Sequence, residues 1–321
     1  MSIKVISTGG TIASTENSGD DATPSLSSDD LTSEISNIED LPEVETEDFT
    51  NIPSSHMKIE NMWNLAKRIN TIDSDPNVQG IVVTHGTSTL EESAYFVDLC
   101  YNGNTPVVFT GAMRNPSLVS PDGPGNLLAS IRTAADDQAG KMGVLVTFND
   151  RVHAAREVTK VHSSAPDTFR APEFGPLATI DEDRLTWRRR PINNDPTLSP
   201  DPSMLTNDVL ALWVTVDMPE RQIQAGMDAA AVCLAANGSG GHPPHIIPYL
   251  HDIKNAGVPL VATTRCVEGR LGRKTYGFPG SHATLRELGV YFSDLNLQKT
   301  RIRTILALAS NQMDDSFDQP S

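Results

Sequence analysis

A chain of 321 residues, 38% of them hydrophobic, is too long for one ordinary core and suits two domains. Its formal net charge of -16 repels phosphate backbones and argues against nucleic-acid binding, and no apolar run is long enough to span a bilayer. The cations are skewed, eight Lys against seventeen Arg, and an acidic, lysine-poor surface is the kind that stays soluble in high salt.

In chain order, Ile3–Ser7 reads as a short strand that ends in Thr8-Gly9-Gly10-Thr11. Residues 14–30, rich in Ser, Thr, Asp, Asn and Gly, read as a mobile surface loop, and Asp29–Ile38 as a helix capped by Ser27 or Ser28. Lys58–Asn70 has helical periodicity, with Met62, Leu65, Ala66 and Ile69 on one face. Strand-like runs at Gly80–Thr84, Pro106–Thr110 and Gly143–Phe148 alternate with helical patterns at Thr89–Tyr101 and Asn126–Asp137, which indicates βαβ units and a mostly parallel sheet. Arg188–Met204, with Pro191, Pro196, Pro200 and Pro202 among Asn, Asp and Ser, is the candidate linker. Beyond it the pattern resumes, with strands expected at Val209–Val216, Ala231–Ala236 and Val258–Thr263 and helices at Pro219–Ala225 and Ile246–Asn255. The expected fold is α/β: a larger N-terminal domain (1–187) with a mostly parallel sheet flanked by helices, a linker (188–206), a smaller C-terminal α/β domain (207–311) and a disordered tail (312–321).

The chemistry-bearing segments follow strand ends. Thr11 lies just past the first strand, where ligands of open α/β sheets bind, and two glycines let the backbone turn there. On that segment alone a glycine-rich turn with a hydroxyl is the plainer reading. Thr84-His85-Gly86-Thr87-Ser88-Thr89 repeats the design at the mouth of a helix; Ser88 or Thr89 with Glu91 or Glu92 reads as a capping box, which leaves Thr87 unexplained. Helix N-terminal amides at this point favour a carboxylate. Lys160, in Arg156-Glu157-Val158-Thr159-Lys160, is either a solvated surface group or, in a closed site, a base toward a hydroxyl.

Taken in register, TGGTIAS at 8–14, THGTSTLEESAYF at 84–96, REVTK at 156–160, and Gly111-Ala112-Met113-Arg114 followed by Ser120–Leu127 resemble the L-asparaginase family, from Ile3 to about Leu308. The resemblance implies hydrolysis of L-asparagine to L-aspartate and ammonia without a metal or organic cofactor, by a homodimer or homotetramer. It assigns Thr11 as the nucleophile that forms an acyl-enzyme, and Thr87 with Lys160 as the second catalytic pair. Gly10, Ser54, Ser55, Gly86 and Ser88 become the substrate-binding positions. Amide hydrolysis needs such parts: fixed donors for the oxyanion, with Gly9-Gly10 and Gly86-Thr87-Ser88 as candidates, and an activated hydroxyl. Asn237-Gly238-Ser239-Gly240 matches the family region that reaches a neighbouring subunit's site, or is an ordinary strand-to-helix turn.

Two departures stand out. The family usually reads THGTDT, whereas Ser88 replaces the aspartate that pairs with the substrate ammonium. No tyrosine occurs in 14–30, where many members carry one beside the nucleophile. They keep open an amidohydrolase for glutamine or a non-amino-acid amide, and a fold relative that has lost turnover. Cys100, Cys233 and Cys266 have no metal-type spacing, and the first two, in apolar runs, are expected to be buried and inert. With no signal-peptide stretch after Met1 and no disulfide framework, the cytoplasm is the expected location, and the composition points to a halophilic archaeal source.

Overall fold

The computed structural model describes residues 1–15, 23–24, 27–33, 41–192 and 195–318. The chain divides into two compact units, Met1–Asn194 and Asp195–Ser321.

The first unit runs β1 (Ser2–Ser7), β2 (Ser14–Thr15), β3 (Thr23–Pro24), α1 (Ser28–Ser33), β4 (Glu43–Asp48), α2 (Ile59–Asp73), β5 (Val78–Thr84), α3 (Leu90–Cys100), β6 (Val107–Thr110) and α4 (Gly123–Ala135). It continues through β7 (Leu145–Phe148), β8 (Arg151–Ala154), β9 (Thr159–Lys160), β10 (Phe169–Arg170), β11 (Ala178–Asp181) and β12 (Arg184–Trp187). Eight strands form one sheet in the order β12-β11-β8-β7-β6-β5-β1-β4. Neighbours from β4 to β7 are parallel, and β8, β11 and β12 add an antiparallel extension. β6 and β7 are buried at every residue, as parallel strands covered on both faces require. Leu31 of α1 and Leu127 and Ile131 of α4 join Ile3, Val5, Val82 and Val108 in one core. Met62, Leu65, Ala66, Ile69 and Ile72 are the buried stripe of α2, which packs with α3 and β5.

The strand order positions the site. β4, second of the parallel strands in sequence, lies on one side of β1, and β5 lies on the other. The chain therefore reverses its progress across the sheet between β1 and β5, and crevices at such switch points are where these sheets bind ligands. Ser7 stands opposite both Asp48 and Thr84, and Thr84 opposite Thr110. The segments that follow β1, β4, β5 and β6 thus leave the sheet at one level.

In the second unit β13 (Val209–Trp213), α5 (Glu220–Gln224), β14 (Ala231–Ala236), α6 (Ile247–Asn255), β15 (Leu260–Thr264), α7 (His282–Glu287), β16 (Tyr291–Phe292), α8 (Leu297–Ala309) and α9 (Met313–Ser316) follow one another. The four strands form a parallel sheet in sequence order over a core that includes Leu234, Ile253, Leu260 and Leu285.

Two expectations are corrected, and the boundary between the two units falls within the expected linker. Within 14–30, Ser14–Thr15 pairs with Thr23–Pro24, and α1 already starts at Ser28, capped by reciprocal bonds between Ser27 and Asp30; residues 34–38 of the expected helix lie outside the described residues. The stretch 188–206 is anchored at both ends. The N–H groups of Arg188 and Arg189 donate to Leu177, and in the second unit Arg303 meets Asp195 at 2.7 Å while the Asp201 N–H donates to Ala309. The tail is ordered as far as residue 318: Phe317 is buried and stacks under Arg303, and Asp318 bridges to Phe292.

Candidate active site

Two turns meet at the switch point. Gly10 has φ +88°, a conformation that glycine adopts without strain, and a Cβ there would sit 2.3 Å from the Cα of Gly86. The Thr8–Thr11 and His85–Thr87 turns therefore touch backbone to backbone, and neither residue has room for a side chain. Among the described residues no hydrogen bond uses the N–H of Gly10, Thr11, Gly86 or Thr87, which leaves a cluster of backbone donors at the strand ends.

Lys160 closes the site from β9, held by its pairing with Phe169 of β10. Its Nζ donates to Thr87 Oγ1 at 2.9 Å, and Thr87 is buried. Burial holds the Lys160 ammonium below the usual lysine range, against the charge of Glu91, which favours it. Ser54, just beyond β4, is buried against Gly86; its Oγ accepts from the Ser88 N–H at 3.2 Å and its carbonyl accepts from Thr89 Oγ1 at 2.8 Å. The Ser54 hydroxyl keeps its own proton to donate.

Thr11, Gly10, Ser54, Gly86, Thr87 and Lys160 are thus gathered around the ends of β1, β4 and β5. Ser55 and Ser88 are exposed at the same rim. Thr11 is half-buried, and no bond to its hydroxyl is found among the described residues. The capping box is corrected: Thr89 is the N-cap of α3 but makes no side-chain cap bond, because its hydroxyl goes to Ser54. Glu91 is a buried group on the first turn of α3, and its part in the site was hidden in the sequence by the capping pattern.

The Gly111–Leu127 motif is a buttress. Asp122 accepts from the N–H groups of Met113 and Arg114 at 2.8–3.1 Å. Asn126 donates to the Gly111 carbonyl at 3.0 Å and accepts from the Asn149 N–H at 2.9 Å. A Cβ on Gly111 would lie 2.3 Å from the His85 carbonyl, so this staple presses directly on the loop that carries Thr87.

Residues 2–193 match the family model described as "Asparaginase, N-terminal", and 208–319 match "Glutaminase/Asparaginase C-terminal domain". The chain belongs to the asparaginase family. It is 32% identical to L-asparaginase 2 of Escherichia coli, across 99% of this chain and 91% of that protein. It is 28% identical to the glutaminase-asparaginase of Pseudomonas aeruginosa, across 97% and 87%. The crystal structure of a probable cytoplasmic L-asparaginase from Campylobacter jejuni superposes with a TM-score of 0.84 at 30% identity, covering 98% of each chain.

Elsewhere in this asparaginase-family chain, Asn237–Gly241 forms a tight turn after β14, closed by pairing of its two ends. His242 bonds the Gly240 carbonyl and His245 the Met218 carbonyl. The three cysteines are unpaired, and Cys100 is half-buried rather than buried; burial pushes its thiol and that of Cys233 up to about 12. No helix among the described residues is long and apolar enough to cross a membrane.

Proposed function

We propose that the chain hydrolyses L-asparagine to L-aspartate and ammonia through a threonine acyl-enzyme. The observation that carries this reading is the 2.9 Å bond between Lys160 and Thr87 at the switch point. Thr11 Oγ1 attacks the side-chain amide carbon, and the oxyanion lies against backbone N–H groups of the two glycine turns. The nitrogen leaves as ammonia, taking the proton given up by the nucleophile. Lys160 as neutral amine draws the Thr87 proton, so that Thr87 deprotonates the incoming water; as the ester bond to Thr11 breaks and aspartate leaves, that proton passes to Thr11 Oγ1 and Lys160 returns to the neutral amine. Ser54 and the first turn of α3 receive the substrate's α-carboxylate.

Ammonia release from L-asparagine across a series of KCl concentrations tests the reading. Lys160→Met is expected to lower kcat about a hundredfold or more. No release by the parent at any salt concentration, or an unimpaired Lys160→Met variant, refutes it. A second reading is favoured by the exposed, uncharged Ser88: an amide without an α-ammonium, or glutamine, as substrate. Equal rates for L-asparagine and for its analogue lacking the amino group would select it. The unpaired cysteines and the Campylobacter likeness support a cytoplasmic setting, and the acidic, lysine-poor composition supports adaptation to high salt. Membership of the family, whose resemblance implies a homodimer or homotetramer, is the ground for proposing such an assembly, which sedimentation would check.

A further inference from the structure

We propose that Thr89 is a positioning residue: its hydroxyl fixes the Ser54 turn at the mouth of α3 and so sets the affinity for the substrate's α-carboxylate. The proposal rests on the hydrolase reading, in which Ser54 receives that carboxylate. Thr89 Oγ1 donates to the Ser54 carbonyl at 2.8 Å, and the neighbouring Ser88 N–H donates to Ser54 Oγ at 3.2 Å. Two consecutive residues thus hold both oxygens of one serine. With the Ser88 N–H on a lone pair, the Ser54 hydroxyl still has its proton to offer a ligand.

Ser54–His56 is a single 3-10 turn, in which the His56 N–H donates to the Pro53 carbonyl at 2.9 Å and the Met57 N–H to the Ser54 carbonyl at 3.1 Å. So short a turn has poor hydrogen-bond geometry and needs outside anchors to keep one position. Upstream, the Ile52 N–H and the Thr50 hydroxyl donate to the Thr8 carbonyl at 3.3 and 3.1 Å, which stitches the segment to the turn of Thr11. Thr89 supplies the second stitch, to the segment that carries Thr87. Thr89 is also the N-cap of α3, where a threonine hydroxyl ordinarily accepts from the N–H of the second or third helical residue. It makes no such bond, and its proton goes to Ser54. The hydroxyl therefore serves the Ser54 turn instead of the helix.

The experiment is steady-state ammonia release from L-asparagine by the full-length parent, Thr89→Val, Thr89→Ser, Ser54→Ala and the Thr89→Val, Ser54→Ala double variant, with thermal melts to confirm folding. Thr89→Val keeps the shape and removes the donor, so KM is expected to rise about tenfold while kcat changes little. Thr89→Ser restores the donor and returns KM towards the parent's. In the Ser54→Ala background Thr89→Val adds no further rise, because the hydroxyl acts through Ser54. A merely structural role at the mouth of α3 would instead loosen Thr87, two residues upstream, and lower kcat. If Thr89→Val does not fold, Thr89→Ala decides in the same way. An unchanged KM in the folded variant, with or without a fall in kcat, or a fully additive rise in the double variant, overturns the positioning role and leaves the hydrolase reading intact. Ser54→Ala with the parent's KM overturns it together with the carboxylate role of Ser54. A parent that releases no ammonia overturns the hydrolase reading as well.

Discussion

At Lys160 burial favours the neutral amine and Glu91 the ammonium, so a change of charge nearby shifts the balance. Ser88→Asp places a carboxylate beside Thr87, within the same rim. It supplies a partner for a substrate α-ammonium, and a charge-assisted hydrogen bond is worth roughly 1.5–3 kcal/mol, so KM for L-asparagine is expected to fall about tenfold or more. The added negative charge also stabilises the ammonium, and the neutral amine is the active form; the acidic limb of the rate profile therefore moves to higher pH. Steady-state kinetics across pH reads both effects. An unchanged KM would mean that position 88 does not face the amino group. Thr11 and Thr87 could be singled out in the sequence because each follows a recognisable strand end in a hydroxyl- or glycine-rich turn, whereas Ser54 came only from the family resemblance, since the strand before it carries no clear pattern. Glu91 could not, because a glutamate on a first turn reads equally well as a cap.

The elements that read correctly were those with one dominant pattern. β5, β6, β7 and β14 are apolar runs, and α2 has one apolar stripe. β4 was missed because EVETED lies at a sheet edge with no fully buried residue. α8 was missed for the opposite reason: ten of its residues, Lys299 and Arg303 among them, are buried, so no polar face marks its period. The Gly111–Leu127 motif was visible, but its work as a staple between the loops after β6 and β7 needed coordinates. Asn126→Ala would leave the Gly111 carbonyl and the Asn149 N–H unsatisfied. The expected cost is about 1–3 kcal/mol, read by denaturant unfolding, with a fall in kcat as the Thr87 loop loosens. Stability equal to the parent's would show that water replaces the staple.

On the scale of the whole molecule, the two-unit α/β plan was readable because strand and helix patterns restart after the proline-rich stretch. The order of strands was not, since register depends on pairings far apart in sequence. Charge is distributed as unevenly as hydrophobicity. No Lys or Arg occurs between Lys4 and Lys58, a stretch that holds twelve of the 41 acidic residues. Part of it is β4, the outermost strand of the sheet, whose Glu43, Glu45 and Asp48 are exposed.

A strand edge without a neighbour is a template on which another copy can polymerise; among the described residues β4 pairs on one side only, and it carries a row of carboxylates. Ser2 donates to Glu45 at 2.6 Å and Arg68 grips Glu47 at 2.7 and 2.8 Å; both contacts hold these carboxyls below the usual range. The fence of charge consequently persists into mild acid. A Glu45→Gln, Glu47→Gln double variant is expected to turn turbid at a pH where the parent stays clear, with fibrillar growth visible by light scattering. Equal clarity of the two would mean that this border is guarded by something other than its glutamates.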